Sequence, residues 1–325
     1  MNFFTKIDIP AADFKIDYTS RLAFFGSCFA DNISAQFAER KFNVLANPFG
    51  TVYNPVSLAS QVKAIADGKI FGEEDVFQDM RCDGLWHCWD AHSSLSGKTK
   101  EECIEKLNAA ITQARDFLQK ASVIFITLGT AFVYYLKSSG KPAANCHRQD
   151  QNLFERKLIS VDEAAEAIQK IVVLLRDMNR DARIVFTVSP IRHLGDGAHG
   201  NNLSKATVLL AINKEIATSP LASRNDTVDY FPSYEIVMDE LRDYRFYSDD
   251  MIHLSRTAEE YIFERMVETY CDSATRENIT KVEMFLKMAN HRIQDECSPA
   301  TQELKKKLAS QAAELERQIA GLKLG

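Results

Sequence analysis

A serine that follows a glycine, and a distant Asp–His pair, are the residues of this chain most suited to catalysis. Ser27 follows Gly26 at the end of the apolar run 22–25, and a strand, tight turn and helix in that order would place it at the carboxyl edge of a sheet. Asp250 and His253 supply a carboxylate and an imidazole three residues apart. Serine, histidine and aspartate together can cleave esters through an acyl intermediate.

Both groups of residues also have a purely structural interpretation. Serine is a preferred N-cap, so Ser27 could simply cap the helix predicted over residues 33–40. Likewise, residues 250–255 could form the capped start of the helix that begins at Leu254.

The elements that would position these residues alternate along the chain. Apolar runs predict strands at 22–25, 43–46, 123–128, 183–188 and 227–231, and helical patterns lie at 56–66, 101–119, 161–178 and 205–217. Strands that alternate with helices predict a parallel sheet with right-handed crossovers and helices on both faces. The predicted fold is therefore a three-layer α/β/α sandwich, with residues 123–128 in a central strand.

Several motifs in a fixed order resemble the GSCFA family, and through it the SGNH (GDSL-type) hydrolases. The motifs are GSCFA at 26–30, NPFGTVYNP at 47–55, TLGT at 127–130, NCH at 145–147, SPIRH at 189–193 and the Asp250/His253 pair. The resemblance covers about residues 24–270 and implies a flavodoxin-like strand order. It also implies that Ser27 is the nucleophile, that His253 takes its proton, and that Asp250, chosen over Asp249 on spacing, orients the imidazole.

The oxyanion hole is where this chain departs from the SGNH pattern. The resemblance implies backbone donors at Cys28 and Gly50, and an Asn side chain in a Gly-x-Asn-Asp motif that reads Gly-Thr-Ala-Phe at 129–132 here. Losing one oxyanion donor can cost ~2.7–4 kcal/mol, so either another group replaces the Asn or the enzyme is slower and acts on a different acyl group. The candidates for replacement are Thr130, Asn54 and Asn145.

Further candidates for substrate contact lie beyond the central and fourth predicted strands. Arg192 and His193 follow the fourth strand, and the planar fork of an arginine suits an anionic or hydroxylated substrate. Arg192 could equally brace its loop by bonding carbonyls. His147 lies in the polar insertion 137–156, which could cover the active-site edge, although a histidine in a loop is usually solvated or structural.

The aromatic stretch around Trp86 and Trp89 has two interpretations. Either ring could offer a flat face to a sugar or acyl chain, or both could be packing residues. The nearby Cys82, His87, Cys88 and His92 match no familiar zinc spacing, so no metal and no cofactor are predicted.

Composition narrows the possible partners. The net charge is −6 with both signs interspersed, which lacks the basic footprint of nucleic-acid binding, and no apolar run approaches a membrane span. A neutral or mildly charged small molecule fits better. Seven cysteines without framework spacing predict reduced thiols in the cytoplasm, and residues 1–12 lack the apolar core of a signal peptide, although a leader already removed would leave no trace.

The predicted domains are an SGNH-like unit at 1–272 and a helical extension at 273–325. Leu308, Leu315 and Leu322 recur every seven residues in a predicted helix at 302–324, which either lies on the domain or forms a homo-oligomer contact.

Two functions follow from the sequence. The first is a serine esterase or acyltransferase acting on a small-molecule ester, plausibly an O-acylated carbohydrate. The second is a non-catalytic small-molecule or glycan-binding module that keeps the same fold and pocket.

Overall fold

The core of the fold is a five-stranded parallel sheet between two layers of helices. The computed structural model describes residues 5–81, 83–218, 228–290 and 298–324. The sheet strands are β1 (Arg21–Gly26), β2 (Asn43–Ala46), β5 (Val123–Leu128), β9 (Arg183–Val188) and β10 (Val228–Tyr230). Their order across the sheet is β10-β9-β5-β1-β2, which is 2-1-3-4-5 when the five strands are counted along the chain. This is the flavodoxin-like order, so the predicted fold is confirmed.

The helices connect successive strands and then cover one face. They are α1 (Cys28–Glu39), α2 (Pro55–Asp67), α3 (Lys100–Leu118), α4 (Val161–Met178), α5 (Gly197–Thr218), the single turn α6 (Ser233–Glu235), α7 (Arg256–Tyr270), α8 (Ser273–Ala289) and α9 (Pro299–Gln318). Among the described residues, no helix is both long and apolar enough to cross a membrane.

Capping residues explain where several helices begin. Ser160 and Glu163 form a reciprocal capping box at the start of α4, which matches the predicted range. The predicted start of α5 at residue 205 was wrong by eight residues, because Gly197 and Gly200 in its first turn weaken the helical pattern that the sequence shows.

The polar insertion 137–156 and the residues on either side of it form a small antiparallel sheet. Its strands are β6 (Phe132–Leu136), β7 (Pro142–Ala143) and β8 (Phe154–Leu158), in the order β7-β6-β8. A separate hairpin pairs β3 (Val76–Gln78) with β4 (Trp86–Cys88). The β6–β8 sheet stands beside the carboxyl edge of the main sheet, where it contributes to the larger cavity described below.

The C-terminal helices share an apolar core with one face of the sheet. Val282 of α8, together with Ile319 and Leu322 beyond α9, packs in the same buried cluster as Phe24 and Phe125 of the sheet. Helix α9 ends at Gln318 instead of continuing to 324. The division of the chain at residue 272 stays a prediction, as does the oligomer contact.

Candidate active site

A tight turn between β1 and α1 holds Ser27 at the carboxyl edge of the sheet. Gly26 has a φ of +126°, and a β-carbon there would lie 1.9 Å from the carbonyl oxygen of Thr127, so only glycine fits. The Ser27 N–H donates to that same carbonyl at 3.2 Å. Asn47 accepts from the Gly26 N–H at 2.8 Å and donates to Asp31 at 2.7 Å. The close packing at Gly26 and these hydrogen bonds therefore hold the turn in one conformation.

The hydroxyl of Ser27 is buried and is not used as a helix cap. Ser27 occupies the N-cap position of α1, yet its side chain forms no capping hydrogen bond. Within the described residues, the Ser27 Oγ has no hydrogen-bond partner, although the side chain is only 1% exposed. Buried polar groups are nearly always paired, so an unpaired hydroxyl here favours a functional role over the capping role.

Ser27 opens into a small cavity that also contains the predicted base. The cavity has a volume of about 150 Å³, and its lining residues are Ser27, Cys28, Tyr53, Ser189, Ile191, Arg192, His193, Ile252 and His253. The first and last parts of the α/β region therefore meet at one edge of the sheet.

A carboxylate holds the ring of His253 in a defined orientation. His253 Nδ1 lies 2.6 Å from Asp250 Oδ2, and the second oxygen of Asp250 accepts from the backbone N–H groups of Ile252 and His253, each at 2.9 Å. The His253 ring bond, followed by these amides, holds the pKa of Asp250 well below its usual range. Because an ionised carboxylate only accepts, Nδ1 carries the proton and Nε2 is the nitrogen that can act as a base.

Ser27 and His253 line the same cavity, but no hydrogen bond joins their side chains in the described part of the chain. His253 and Asp250 are each about half exposed, at 49% and 47% of their side chains. Ser27 Oγ forms no hydrogen bond to His253 in the described part of the chain. Catalytic hydrogen bonds of this kind often tighten only when substrate is bound, so the roles of Ser27, Asp250 and His253 stay predictions.

Two of the three predicted oxyanion donors are engaged elsewhere. The N–H of Gly50 donates to the carbonyl of Asn47 at 2.7 Å. Thr130 donates its N–H to the carbonyl of Tyr53 at 3.0 Å, and its hydroxyl lies 2.8 Å from that of Ser204. Neither residue lines the cavity at Ser27. The structure thus gives no support to Gly50 and Thr130 as oxyanion donors, and their role stays a prediction.

Cys28 remains suited to the donor role and poorly suited to nucleophilic attack. Its N–H is the first amide of α1, and the first amides of a helix have no acceptor within that helix. Burial, followed by the nearby carboxylate of Asp31, raises the pKa of the Cys28 thiol. A protonated thiol is a weak nucleophile, so the structure favours the hydroxyl of Ser27.

A second, larger cavity of about 560 Å³ adjoins the first. Tyr53, Arg192, His193 and Ile252 line both. The larger cavity is lined by several residues predicted either to contact substrate or to replace the missing Asn, namely Asn54, Thr130, Asn145, Arg192 and His193. Asn54 also caps α2 by accepting from the N–H of Ser57 at 2.8 Å.

The walls of the larger cavity combine aromatic rings with polar groups. Arg156 lies over the ring of Phe132 at 3.8 Å and forms an ion pair with Asp196, while Tyr134 lines the same wall. Arg192 donates to Asn202 at 3.1 Å, and in the described part of the chain it forms no ion pair. Its guanidinium therefore keeps donors for a ligand.

Two predicted contact residues lie away from both cavities. His147 is buried, with Nε2 2.8 Å from the carbonyl oxygen of Cys88 and its ring stacked on His87 at 4.4 Å. Trp86 lies in β4 and packs half-buried against the core. Neither is among the described residues that line the two cavities, so both assignments to substrate contact stay predictions that the cavities do not support.

One important side chain was missed by sequence reasoning. Lys205 is almost fully buried under the site, and its Nζ donates to the carbonyls of Gly129 at 2.7 Å and Ser189 at 2.6 Å. It thereby ties together the carboxyl ends of β5 and β9. Burial lowers the pKa of Lys205 to about 7. The sequence signal was a lysine at the helical position that shares a face with the buried Val208 and Ile212.

Among the described residues, one group of side chains has ligand atoms close enough to hold a metal ion. Asp79, Asp83 and His87 bring one ligand atom each within 4.8 Å of one another. His87 Nδ1 lies 2.6 Å from Ser96 and Nε2 lies 3.2 Å from Asp83, so these contacts also account for the arrangement without a metal. Of the residues considered for zinc, Cys82 lies outside the described residues.

The burial of His147 predicts that acid destabilises the fold. Burial lowers the pKa of His147 to about 4, so between pH 6.5 and 4 the unfolded chain binds a proton that the native chain does not. The free energy of unfolding should therefore fall as pH drops through this window, by up to ~1.4 kcal/mol per pH unit from this residue. Urea unfolding at pH 4.5, 5.5 and 7 measures this slope.

A variant with a non-titrating residue provides the control for that prediction. His147→Asn should flatten the slope, because the asparagine side chain binds no proton in this window. Asparagine also tolerates the positive φ of 47° at this position, so the backbone should be kept. His199→Asn, at an exposed site in α5, should leave the slope unchanged. An equal slope in wild type and His147→Asn would contradict the assignment.

The comparison with protein families agrees with the resemblance found in the sequence. The model of the GSCFA family matches residues 21–266. No protein with curated annotation is significantly similar to the chain. A carbohydrate esterase family 3 structure from Talaromyces cellulolyticus is 12% identical, with a TM-score of 0.29, over 52% of this chain and 64% of that one. The acetyl xylan esterase Est2A from the rumen bacterium Butyrivibrio proteoclasticus is 13% identical, with a TM-score of 0.38, over 77% of this chain and 63% of that one.

Proposed function

This chain belongs to the GSCFA family, and we propose that it is a serine-dependent esterase or acyltransferase. The observation that carries this proposal is the buried, unpaired hydroxyl of Ser27, which opens into the same cavity as the carboxylate-oriented ring of His253. A hydroxyl, a base and a group that orients the base are the parts that nucleophilic catalysis needs.

In the proposed reaction, His253 Nε2 takes the hydroxyl proton as Ser27 Oγ attacks the ester carbonyl. The carbonyl electron pair moves onto the oxygen, and the first amide of α1 at Cys28 donates to that oxyanion. When the oxyanion collapses, the bond to the leaving alkoxide breaks and the alkoxide takes the proton from His253. Water or a second hydroxyl then attacks the acyl carbonyl as His253 takes its proton. The bond to Ser27 Oγ breaks and Ser27 Oγ takes that proton from His253, which completes hydrolysis or transfer.

The two cavities support a small acyl group joined to a larger, polar alcohol. The inner cavity of about 150 Å³ is close to the volume that, in another protein, holds one benzene ring. The outer cavity offers the rings of Tyr53, Phe132 and Tyr134 beside polar donors, which suits the flat apolar faces and hydroxyl groups of a sugar. We therefore propose an O-acylated carbohydrate as substrate.

A fluorophosphonate probe tests the proposed nucleophile. The wild-type protein should form one covalent adduct, and peptide mass spectrometry should locate it on Ser27. The Cys28→Ala variant should label at a similar rate, since Cys28 contributes its backbone N–H. An adduct that disappears in Cys28→Ala and persists in Ser27→Ala would instead make the protein a cysteine enzyme.

A binding module is the second candidate function. It is favoured by the absence of the Asn oxyanion donor and by the missing hydrogen bond between Ser27 and His253. Folded protein that fails to label, yet binds an acetylated oligosaccharide by calorimetry, would support this alternative over the enzyme.

A further inference from the structure

Of the oxyanion donors that the resemblance implies, only Cys28 belongs to the described residues that line the Ser27 cavity. Gly50 and Thr130 donate their N–H groups to carbonyls of the protein. Ala131 occupies the position of the Asn in the SGNH motif. It is fully buried, and its N–H donates to Ser204 at 2.7 Å. The first amide of α1 would then be the one donor of the SGNH set that remains. A serine esterase with one donor would be slow, so the other polar groups of the cavity are candidates for a second donor.

His193 brings an imidazole ring to the cavity of Ser27. Its ring lines both cavities and packs edge-on against Tyr53, with ring centres 5.4 Å apart. A methyl group on Gly129, the glycine of the altered oxyanion motif, would lie 3.6 Å from His193 Nε2. The His193 ring, in the loop after β9, thus lies beside the glycine of the motif from which the Asn is missing.

The backbone of His193 is anchored, while its ring nitrogens remain available. The His193 N–H donates to Asn201 Oδ1 at 3.0 Å. Among the described residues, neither ring nitrogen of His193 forms a hydrogen bond. Burial, followed by the ammonium of Lys205, lowers the pKa of His193, so the ring is neutral at pH 7 and carries one N–H donor.

We propose that His193 donates its ring N–H to the oxyanion in place of the missing Asn, a role that rests on the proposed esterase function. As the Ser27 Oγ–carbon bond forms, the electron pair that moves to the carbonyl oxygen meets two donors, the Cys28 N–H and the His193 ring. His193 keeps its proton throughout, and the leaving group receives its proton from His253.

The alternative role of a general base fits His193 less well. A serine-activating histidine is oriented by a carboxylate on its other nitrogen, and Asp250 provides that bond to His253. Asp196 lies near His193 but forms an ion pair with Arg156. The two imidazoles of the cavity thus have different partners, which assigns them different tasks.

Two substitutions separate a donor from a ring that only packs. His193→Phe keeps an aromatic ring against Tyr53 and removes the N–H, so kcat on an acetyl ester should fall about 10²–10³-fold with KM nearly unchanged. His193→Gln restores an amide donor without the ring and should retain most of the wild-type kcat. Melting temperatures of both variants check the fold, and His193→Ala replaces the Phe variant if that one does not fold.

The outcomes also separate this inference from the proposed function. If the wild-type protein shows neither ester turnover nor labelling of Ser27, both the esterase proposal and this inference are wrong. If the wild type turns over and depends on Ser27, equal losses in the Phe and Gln variants would show that the donor is not what matters. A Phe variant as active as the wild type would likewise overturn the role of His193 alone.

Discussion

Replacing Ser27 by alanine is expected to lower kcat by roughly 10⁶-fold, the loss seen when a serine protease loses its nucleophile. The fold should survive this change and can become more stable. The hydroxyl is buried without a partner within the described chain, so removing it relieves a desolvation penalty of about 1–3 kcal/mol instead of breaking a bond. Ester turnover and differential scanning calorimetry measure the two effects on the same samples.

Ser34 provides a matched control on the same helix. Its side chain is also buried, but its hydroxyl donates to the carbonyl of Asp31 at 2.8 Å. Ser34→Ala should therefore lower the melting temperature slightly and leave kcat unchanged. A Ser27→Ala variant with normal turnover, or one with the same melting-point loss as Ser34→Ala, would return Ser27 to the structural role of a helix cap.

The fold could be predicted because its signals are local. Apolar runs such as residues 123–128 and the pattern of 161–178 carry their periodicity within one segment, and alternating strands and helices restrict the topology to few choices. The order of the motifs along the chain also indicated the family to which the fold belongs. The strands of the small β6–β8 sheet escaped prediction because β8 has three consecutive exposed charged residues instead of an apolar run, and it pairs with β6.

The candidate site was harder to predict, since backbone donors are defined by tertiary contacts. The N–H of Thr130 is occupied by the carbonyl of Tyr53, which the distant loop before α2 delivers, whereas the N–H of Gly50 bonds Asn47 within its own turn. Histidines pose the same difficulty. His147 and His193 look alike in sequence, yet one stacks in an aromatic cluster and the other lines the cavity of Ser27.

The second large effect is expected from Asp250→Asn, which should lower kcat by about 10⁴-fold, as the equivalent change does in chymotrypsin-like proteases. The asparagine carbonyl can still accept from the N–H groups of Ile252 and His253 that bond Asp250 now. Its amide group can instead donate to His253 Nδ1, which would place the ring proton on Nε2. A ring protonated on Nε2 cannot take the proton of Ser27.

Thermal melting at two pH values above the pKa of Asp250 distinguishes this tautomer effect from a loss of fold. The folded-state pKa of Asp250 is held low, so its contribution to stability is present above the unfolded-state pKa of about 3.9 and is lost as pH falls below it. At pH 7 and 8, Asp250→Asn should melt cooperatively, as the wild type does, while kcat stays about 10⁴-fold low at both values. Asp249→Asn, a change at the exposed neighbouring carboxylate, should match the wild type in both assays. If Asp249→Asn proves to be the inactive variant, the other carboxylate orients His253 and the loop must rearrange before catalysis.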